Sequence, residues 1–216
     1  MDIVHPAITR YLDELASVDD EAVLIEMEKL AEANGFPIVG RLCGQTLELL
    51  ALSIRAQRIF EMGSGYGYSA YWFSRATGPQ GEIHLTDTDG ENAKKAMDFL
   101  GRAMLDGPIE FHVEPAFDAF DKTGGDFDIV YCDIDKGDYP DAWRKARDRI
   151  RVGGLFICDN MLWSGRVSGE PDAPPDVREG WTESIDATNH MIANDRHYRS
   201  IIVPLRDGLI VALRVS

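Results

Sequence analysis

The sequence predicts an α/β fold in which helices surround one mostly parallel sheet. Short apolar runs typical of strands alternate along the chain with segments of helical periodicity, as expected of repeated βα units. A glycine-rich turn follows the first strand-like run, and the chain ends on two alternating apolar runs separated by a turn. The last two runs predict an antiparallel hairpin that completes a seven-stranded sheet.

Residues 1–56 are predicted to form helices that precede the sheet. Apolar residues between Ala22 and Ala31 recur at helical spacing, and Gly44–Ile54 repeats the pattern. Residues 57–216 are predicted to form the sheet core. A chain of this length can bury one continuous core, so residues 1–216 are expected to form a single domain.

Five strands are predicted before the hairpin, with a helix after each of the first four. The strands are Arg58–Met62, Ile83–Asp87, Ile109–Val113, Phe127–Cys132 and Leu155–Cys158. The helices are Tyr68–Ala76, Glu91–Leu105, Ala116–Phe120 and Tyr139–Ile150. The Gly153-Gly154 pair is expected to close the last of these helices in the left-handed conformation.

The C-terminal part begins with a segment rich in proline, glycine and charge, Arg166–Gly180. It is predicted to be a long exposed loop, of the kind that often covers a binding site. A helix near Trp181–Ala193 follows. The hairpin strands Tyr198–Val203 and Leu209–Val215 end the chain.

Composition excludes several classes of protein. The chain has 22 Lys and Arg against 37 Asp and Glu, a net charge of −15, which disfavours a nucleic-acid partner. The N-terminus lacks a secretory pattern, and no apolar run approaches the ~20 residues that span a bilayer. We therefore expect a cytoplasmic protein without a membrane partner, whose three cysteines stay reduced.

The glycine-rich turn after the first strand is a candidate nucleotide site. Its glycines, Gly63, Gly65 and Gly67, let the backbone approach a ligand closely, although a plain tight turn has the same pattern. The spacing is GxGxG instead of the GxGxxG of dinucleotide sites, and Glu61 before it would repel a pyrophosphate. S-adenosylmethionine fits better, because it has an amino group, a sulfonium and no pyrophosphate.

A carboxylate, Asp87, follows the second strand about twenty residues further on. Ribose hydroxyls of a bound nucleotide would lie at this place. The alternative is that Asp87 caps the following helix, a task that Asp89 can perform equally well.

A second group of polar residues follows the fourth and fifth strands. Asp133 and Lys136 come after the fourth strand, and Asp159 and Asn160 after the fifth, so their side chains should open onto one crevice. Carboxylate and amide oxygens suit Mg²⁺. A nearby cation and burial would lower the pKa of Lys136 and make it a general base; the alternative is a charge partner for Asp133 or Asp135.

Five motifs in this order, EMGSGYGYSA, LTDTD, FDIVYCDIDKGDY, RVGGLFICDNMLWSGRV and PLRDGLIVAL, resemble the cation-dependent O-methyltransferases. This family includes catechol and caffeoyl-CoA O-methyltransferases and their bacterial relatives. The resemblance runs from about Tyr11 to the C-terminus. It implies a Rossmann-like class I methyltransferase domain.

The resemblance also implies roles for individual residues. Lys136 would be the catalytic base, and Trp163 would pack on the aromatic acceptor. The implied metal ligands are Asp133, Asp159 and Asn160. The implied cofactor-binding residues are Val39, Glu61, Gly63, Gly65, Ser69, Asp87, Thr88, Ala116, Phe117 and Asp133.

The implied reaction is methylation of one hydroxyl of a small aromatic acceptor with two adjacent hydroxyls. The methyl donor would be S-adenosylmethionine, and the cation would be Mg²⁺, Mn²⁺ or Ca²⁺. The resemblance further implies a homodimer. Two alternatives stay open: a methyltransferase for 5-hydroxyuridine in tRNA, and a binding module that keeps the cofactor site without catalysis.

Overall fold

The computed structural model describes residues 4–16, 21–103, 107–170, 173–176 and 178–216. The chain divides into two compact units. The N-terminal unit comprises residues 7–122, and the C-terminal unit comprises residues 123–216 together with 1–6.

The described residues include seven strands in one sheet, in the order β3-β2-β1-β4-β5-β7-β6. The strands are β1 (Arg58–Met62), β2 (Glu82–Asp87), β3 (Ile109–Val113), β4 (Phe127–Cys132), β5 (Ile150–Cys158), β6 (Tyr198–Val203) and β7 (Leu209–Arg214). Pairs β1–β2, β2–β3 and β4–β5 are parallel, whereas β5–β7 and β6–β7 are antiparallel. The predicted α/β class with a C-terminal antiparallel hairpin is confirmed.

Helices lie between the strands and before the sheet. They are α1 (Pro6–Ala16), α2 (Ala22–Asn34), α3 (Gly40–Ser53), α4 (Tyr68–Thr77), α5 (Gly90–Arg102), α6 (Ala116–Lys122), α7 (Tyr139–Ala146) and α8 (Trp181–Ala193). The predicted end of α5, Leu105, lies outside the described residues. Helices α1, α2 and α3 lie within residues 1–56, where helices are predicted, although the periodic runs of the sequence locate only α2 and α3.

Helices α3 and α4 approach each other closely in the N-terminal unit. Gly44 of α3 lies against the fully buried indole of Trp72 in α4. A Cβ at Gly44 would be 2.1 Å from the indole Nε1, so no other residue fits there without a shift.

The predicted boundary between α7 and β5 is wrong. Helix α7 ends at Ala146, and β5 begins at Ile150, which pairs with Phe127. The pair Gly153-Gly154 therefore lies inside β5 and does not close a helix. Gly153 does have a positive φ of 82°, but it occupies a bulge, where the pairing register shifts between Phe127 and Ile129.

Two further expectations can be compared with the structure. Cys43, Cys132 and Cys158 are buried free thiols, as predicted. Among the residues that the structure describes, no helix is long and apolar enough to cross a membrane.

Candidate active site

The glycine-rich turn joins β1 to α4 through backbone conformations that favour glycine. Gly63, Gly65 and Gly67 have φ values of 82°, 51° and 86°. A Cβ at Gly65 would be 2.9 Å from Cζ of Phe36, so this position is also restricted by packing. The turn consequently presents backbone, not side chains, at the end of β1.

Glu61 is a fully buried carboxylate in β1, two residues before the turn. Its Oε1 accepts a hydrogen bond from the hydroxyl of Ser69, which lies in the first turn of α4. Thr86 of β2 fixes the backbone here, because its Oγ1 accepts from the Gly63 N–H at 3.1 Å and donates to the Glu61 carbonyl at 2.9 Å. Two predicted cofactor residues, Glu61 and Ser69, are thus in direct contact.

The structure at the end of β2 bears on the two interpretations of Asp87, as a ribose-binding residue or as the cap of α5. Asp89 is the residue that caps α5, since its Oδ1 accepts from the Glu91 N–H at 2.8 Å. Asp87 accepts from the Asp89 N–H at 2.8 Å and from Asn92 Nδ2 at 3.3 Å. The half-buried Asp87 is therefore oriented by these donors, and Thr88 beside it is exposed.

The remaining predicted cofactor residues of this unit lie at helix starts. Val39 is buried and immediately precedes α3. Ala116 and Phe117 are half-buried in the first turn of α6. The structure thus places Val39 beside the start of α3, and Ala116 and Phe117 in the first turn of α6.

In the C-terminal unit, Lys136 and Asp133 form an ion pair. Lys136 Nζ lies 2.8 Å from Asp133 Oδ1 and 3.1 Å from the carbonyl oxygen of Ile134. Burial alone would lower the pKa of Lys136, but the charge of Asp133 and its hydrogen bond outweigh burial and raise that pKa. The alternative prediction, a charge partner, describes this structure, and the partner is Asp133; Asp135 pairs with Arg178 at 3.1 Å.

Asp159 follows β5 and is 2% exposed. Its backbone N–H donates to the carbonyl of Cys132 at 3.2 Å, so the ends of β4 and β5 lie side by side. Burial, and secondarily the charge of Asp133, raise the pKa of Asp159 to about 6. Asn160 has a positive φ of 63°, and its N–H donates to Asp159 Oδ1 at 2.8 Å.

Residues that the sequence interpretation missed surround this pair of carboxylates. The buried Tyr139 donates from its hydroxyl to the Asp159 carbonyl at 3.0 Å, and its ring centroid is 5.1 Å from Lys136 Nζ. Arg206 Nη1 lies 3.9 Å from Asp159 Oδ2. The PLRDG segment predicts a hairpin turn and belongs to the last family motif, but neither pattern indicates that Arg206 faces Asp159.

The same hairpin turn holds the segment after Asn160. The N–H groups of Met161 and Leu162 donate to the carbonyls of Gly208 and Asp207, at 2.9 and 2.8 Å. The Asp207 carboxylate accepts from the Ser164 N–H, and burial raises its pKa. The turn thus fixes the backbone on both sides of Trp163.

Trp163 lies just before the predicted loop, in a kinked segment, Trp163–Ser168, whose first three residues have positive φ. Its Nε1 donates to Asp176 Oδ1 at 2.8 Å, and its ring lies 5.7 Å, centroid to centroid, from that of Trp181. Arg166 packs over the Trp163 ring at 4.9 Å and donates to carbonyls of Pro174 and Pro175. The described part of Arg166–Gly180 is thus held by specific contacts.

The two groups of residues differ in chemistry. The first offers a buried carboxylate, a bare backbone turn and an oriented carboxylate, which together suit a ligand with an amino group and a ribose. The second offers two carboxylates and an amide oxygen, the ligand types that Mg²⁺ takes, beside a half-buried lysine.

Comparison with known proteins gives a family match and named relatives. A sequence model of the family described as O-methyltransferase matches residues 14–215. A catechol O-methyltransferase of Niastella koreensis is 28% identical, over 97% of this chain and 97% of that one. Caffeoyl-CoA O-methyltransferase 2 of Petunia hybrida is 32% identical, over 80% of this chain and 74% of that one.

Solved structures agree with these matches. The O-methyltransferase TomG of Streptomyces achromogenes, involved in tomaymycin synthesis and solved with S-adenosylmethionine, is 27% identical with a TM-score of 0.82. That match covers 97% of this chain and 96% of TomG. An O-methyltransferase of Bacillus cereus in complex with S-adenosylhomocysteine has the same fold, with 23% identity, a TM-score of 0.82 and coverage of 96% and 97%.

Proposed function

The chain belongs to the O-methyltransferase family and is an S-adenosylmethionine-dependent enzyme, and on this basis we propose a cation-dependent reaction on a small aromatic acceptor with two adjacent hydroxyls. One of the two hydroxyls receives the methyl group. The observation that carries the proposal is the pair of carboxylates, Asp133 and Asp159, at the adjacent ends of β4 and β5 with Lys136 in contact.

The cofactor supplies an electrophilic methyl group on a sulfonium. Glu61 would bind its ammonium group, because a buried carboxylate gains most from a charged donor. Asp87 would accept the ribose hydroxyls, since an ionised carboxylate has about four acceptor sites and two donors are described at this one. Gly63 would let the ligand approach the backbone, because a glycine at its positive φ of 82° carries no Cβ.

Asp133, Asp159 and Asn160 would hold the cation. Burial raises the pKa of Asp159 to about 6, and the neighbouring charge of Asp133 contributes to this shift. A divalent ion between the two carboxylates would relieve their repulsion, so the residues present fit a cation. When bound, such an ion lowers the pKa of a hydroxyl that it coordinates.

Lys136 would take the proton of the attacking hydroxyl at Nζ. The charge of Asp133 is what keeps its pKa raised in this structure. A cation that engages Asp133 would offset the charge that raises this pKa, and burial of the Lys136 side chain, which is 12% exposed, would then favour the neutral amine. The same ion pair that holds Lys136 in place thereby makes its proton affinity depend on the cation.

The acceptor ring would lie against Trp163, whose indole is fixed through Asp176 and packs near Trp181. Aromatic pairs gain about 0.5–1.5 kcal/mol beyond burial of their area. Two adjacent hydroxyls would be selected because a cation with three protein ligands has positions open for both. This selection is expected to exclude singly hydroxylated rings.

The test measures the rate at which EDTA-treated enzyme methylates two acceptors, before and after Mg²⁺ is restored. A catechol should be methylated only with the cation, and its singly hydroxylated counterpart much more slowly. Equal rates for the two acceptors would refute selection by chelation. Methylation of tRNA containing 5-hydroxyuridine, with no catechol activity, would replace the proposal by the nucleic-acid alternative.

A further inference from the structure

Three side chains with metal-ligating atoms converge in the N-terminal unit, on strands β2 and β3. They are His84, Glu110 and His112, and one ligand atom from each lies within 4.8 Å of the others. Parallel register pairs His84 with Glu110, and the two-residue period of a strand puts His112 on the same face as Glu110. The sheet itself therefore brings the three together.

We propose that His84, Glu110 and His112 bind a transition-metal dication of the Zn²⁺ type. His84 Nδ1 is 3.2 Å from His112 Nε2 and 3.5 Å from Glu110 Oε2. With metal–ligand bonds of about 2.0–2.1 Å, tetrahedral geometry separates neighbouring ligand atoms by about 3.3–3.4 Å. These two separations match that spacing.

A fourth residue orients His84 for this role. Glu82 Oε1 lies 2.6 Å from His84 Nε2, and Glu82 Oε2 lies 3.1 Å from Arg58 Nε. A carboxylate that accepts the Nε2–H leaves Nδ1 unprotonated and directed at the other two ligands, as is usual for metal-binding histidines. His84 is 3% exposed, and burial lowers its pKa, which favours the neutral imidazole that a metal requires.

Aromatic packing holds the two rings before any metal arrives. The His84 and His112 rings are stacked at 22°, with centroids 5.5 Å apart. Phe60 of β1 stacks with both, at 6.0 and 6.4 Å. The exposed Glu110 is then the one ligand that must adjust.

The competing interpretation is a hydrogen bond from the His112 Nε2–H to His84 Nδ1. In the metal site the His112 proton moves to Nδ1, which faces Glu110 Oε1 at 3.8 Å. Two imidazoles and one carboxylate favour zinc-type ions, whereas Asp133, Asp159 and Asn160 offer oxygen alone and favour Mg²⁺. The site does not rest on the proposed reaction.

The test is calorimetric titration of Zn²⁺ into tag-free, metal-free protein in the presence of excess Mg²⁺. Wild type should bind one equivalent despite the Mg²⁺. His112→Ala should weaken this binding at least tenfold, and Glu110→Gln should weaken it as well; Glu110 is exposed, so its replacement keeps the fold. His190→Ala, at an exposed histidine of α8, is the matched control and should bind as wild type does.

Titration with Co²⁺ adds a spectroscopic reading, because tetrahedral nitrogen-bound Co²⁺ absorbs strongly in the visible range. Wild type and His190→Ala should show this band, and His112→Ala should lose it. Three results would overturn the site: absence of Zn²⁺ binding by wild type, suppression of that binding by Mg²⁺, or unchanged affinity in both His112→Ala and Glu110→Gln. Methyl transfer is not measured, so failure here leaves the proposed function standing.

Discussion

Replacement of Gly208 by alanine tests how the hairpin turn supports the segment between Asn160 and Trp163. Gly208 has a φ of 89°, and an added Cβ would lie 2.5 Å from Leu162 Cγ and 2.8 Å from the Leu162 backbone nitrogen. A left-handed alanine costs about 1–2 kcal/mol. Overpacking against a backbone atom adds about 1–3 kcal/mol.

Gly169→Ala is the matched control, because Gly169 has a φ of 69° but no atom of the described residues lies within 4 Å of the added Cβ. We expect the control to lower the free energy of unfolding by about 1–2 kcal/mol, and Gly208→Ala to lower it by about 1–3 kcal/mol more than the control. At about 2–4 °C per kcal/mol, the melting temperature of Gly208→Ala should be roughly 2–12 °C below that of the control. Calorimetric melting with a parallel rate assay measures both effects, and equal losses for the two variants would refute the close-approach argument.

Three further predictions concern single charged residues. The pKa of Asp159 in the folded protein is about 6, above its ordinary 3.8, so the folded state binds a proton more tightly than the unfolded state does. The free energy of unfolding of the metal-free protein should therefore fall by up to ~3 kcal/mol as the pH rises from about 4 to 6. Urea unfolding should show this slope, and Asp159→Asn should remove it; a wild type without the slope would contradict the shift. Lys136→Ala should lose about 10²–10⁴ in rate, recover part of it at high pH and keep its Mg²⁺ affinity. Full activity of Lys136→Ala at neutral pH would exclude the base role. Asp87→Ala should weaken S-adenosylhomocysteine binding about tenfold or more in calorimetry, with an unchanged melting temperature; unchanged affinity would exclude the ribose contact.

Most strand positions could be predicted because each strand is an apolar run bounded by turn residues. Arg58–Met62, Ile109–Val113 and Phe127–Cys132 have the predicted bounds in the structure. The start of β5 could not be predicted in this way. Its first residues alternate in exposure and include Gly153, whose positive φ is shared by helix ends and strand bulges.

The candidate site likewise has a part that could be predicted from the sequence and a part that could not. Asp133 and Lys136 are three residues apart after one strand, and Asp159 follows the neighbouring strand, so strand-end reasoning predicts that they lie together. Arg206 reaches Asp159 only through the hairpin turn, and that approach depends on tertiary packing.

The proximity of His84 and His112 likewise depends on the register of β2 and β3. Periodicity within one strand carries no register information. The direction of the pKa shift of Lys136 could not be predicted from the sequence either, because it depends on the 2.8 Å contact with Asp133.

The most direct test of cation-dependent methylation is the initial rate of catechol methylation against Mg²⁺ concentration for Asp159→Ala and Asp135→Ala. Asp135 is an exposed acidic neighbour that pairs with Arg178, so its replacement removes a charge without removing a proposed ligand. S-adenosylhomocysteine binding, measured on the same samples, reports whether the cofactor site is intact. We predict that Asp159→Ala loses activity and Mg²⁺ response while binding cofactor, and that Asp135→Ala keeps all three. Undiminished wild-type activity in excess EDTA, or an Asp159→Ala enzyme with the wild-type Mg²⁺ response, would contradict the proposed role of the cation.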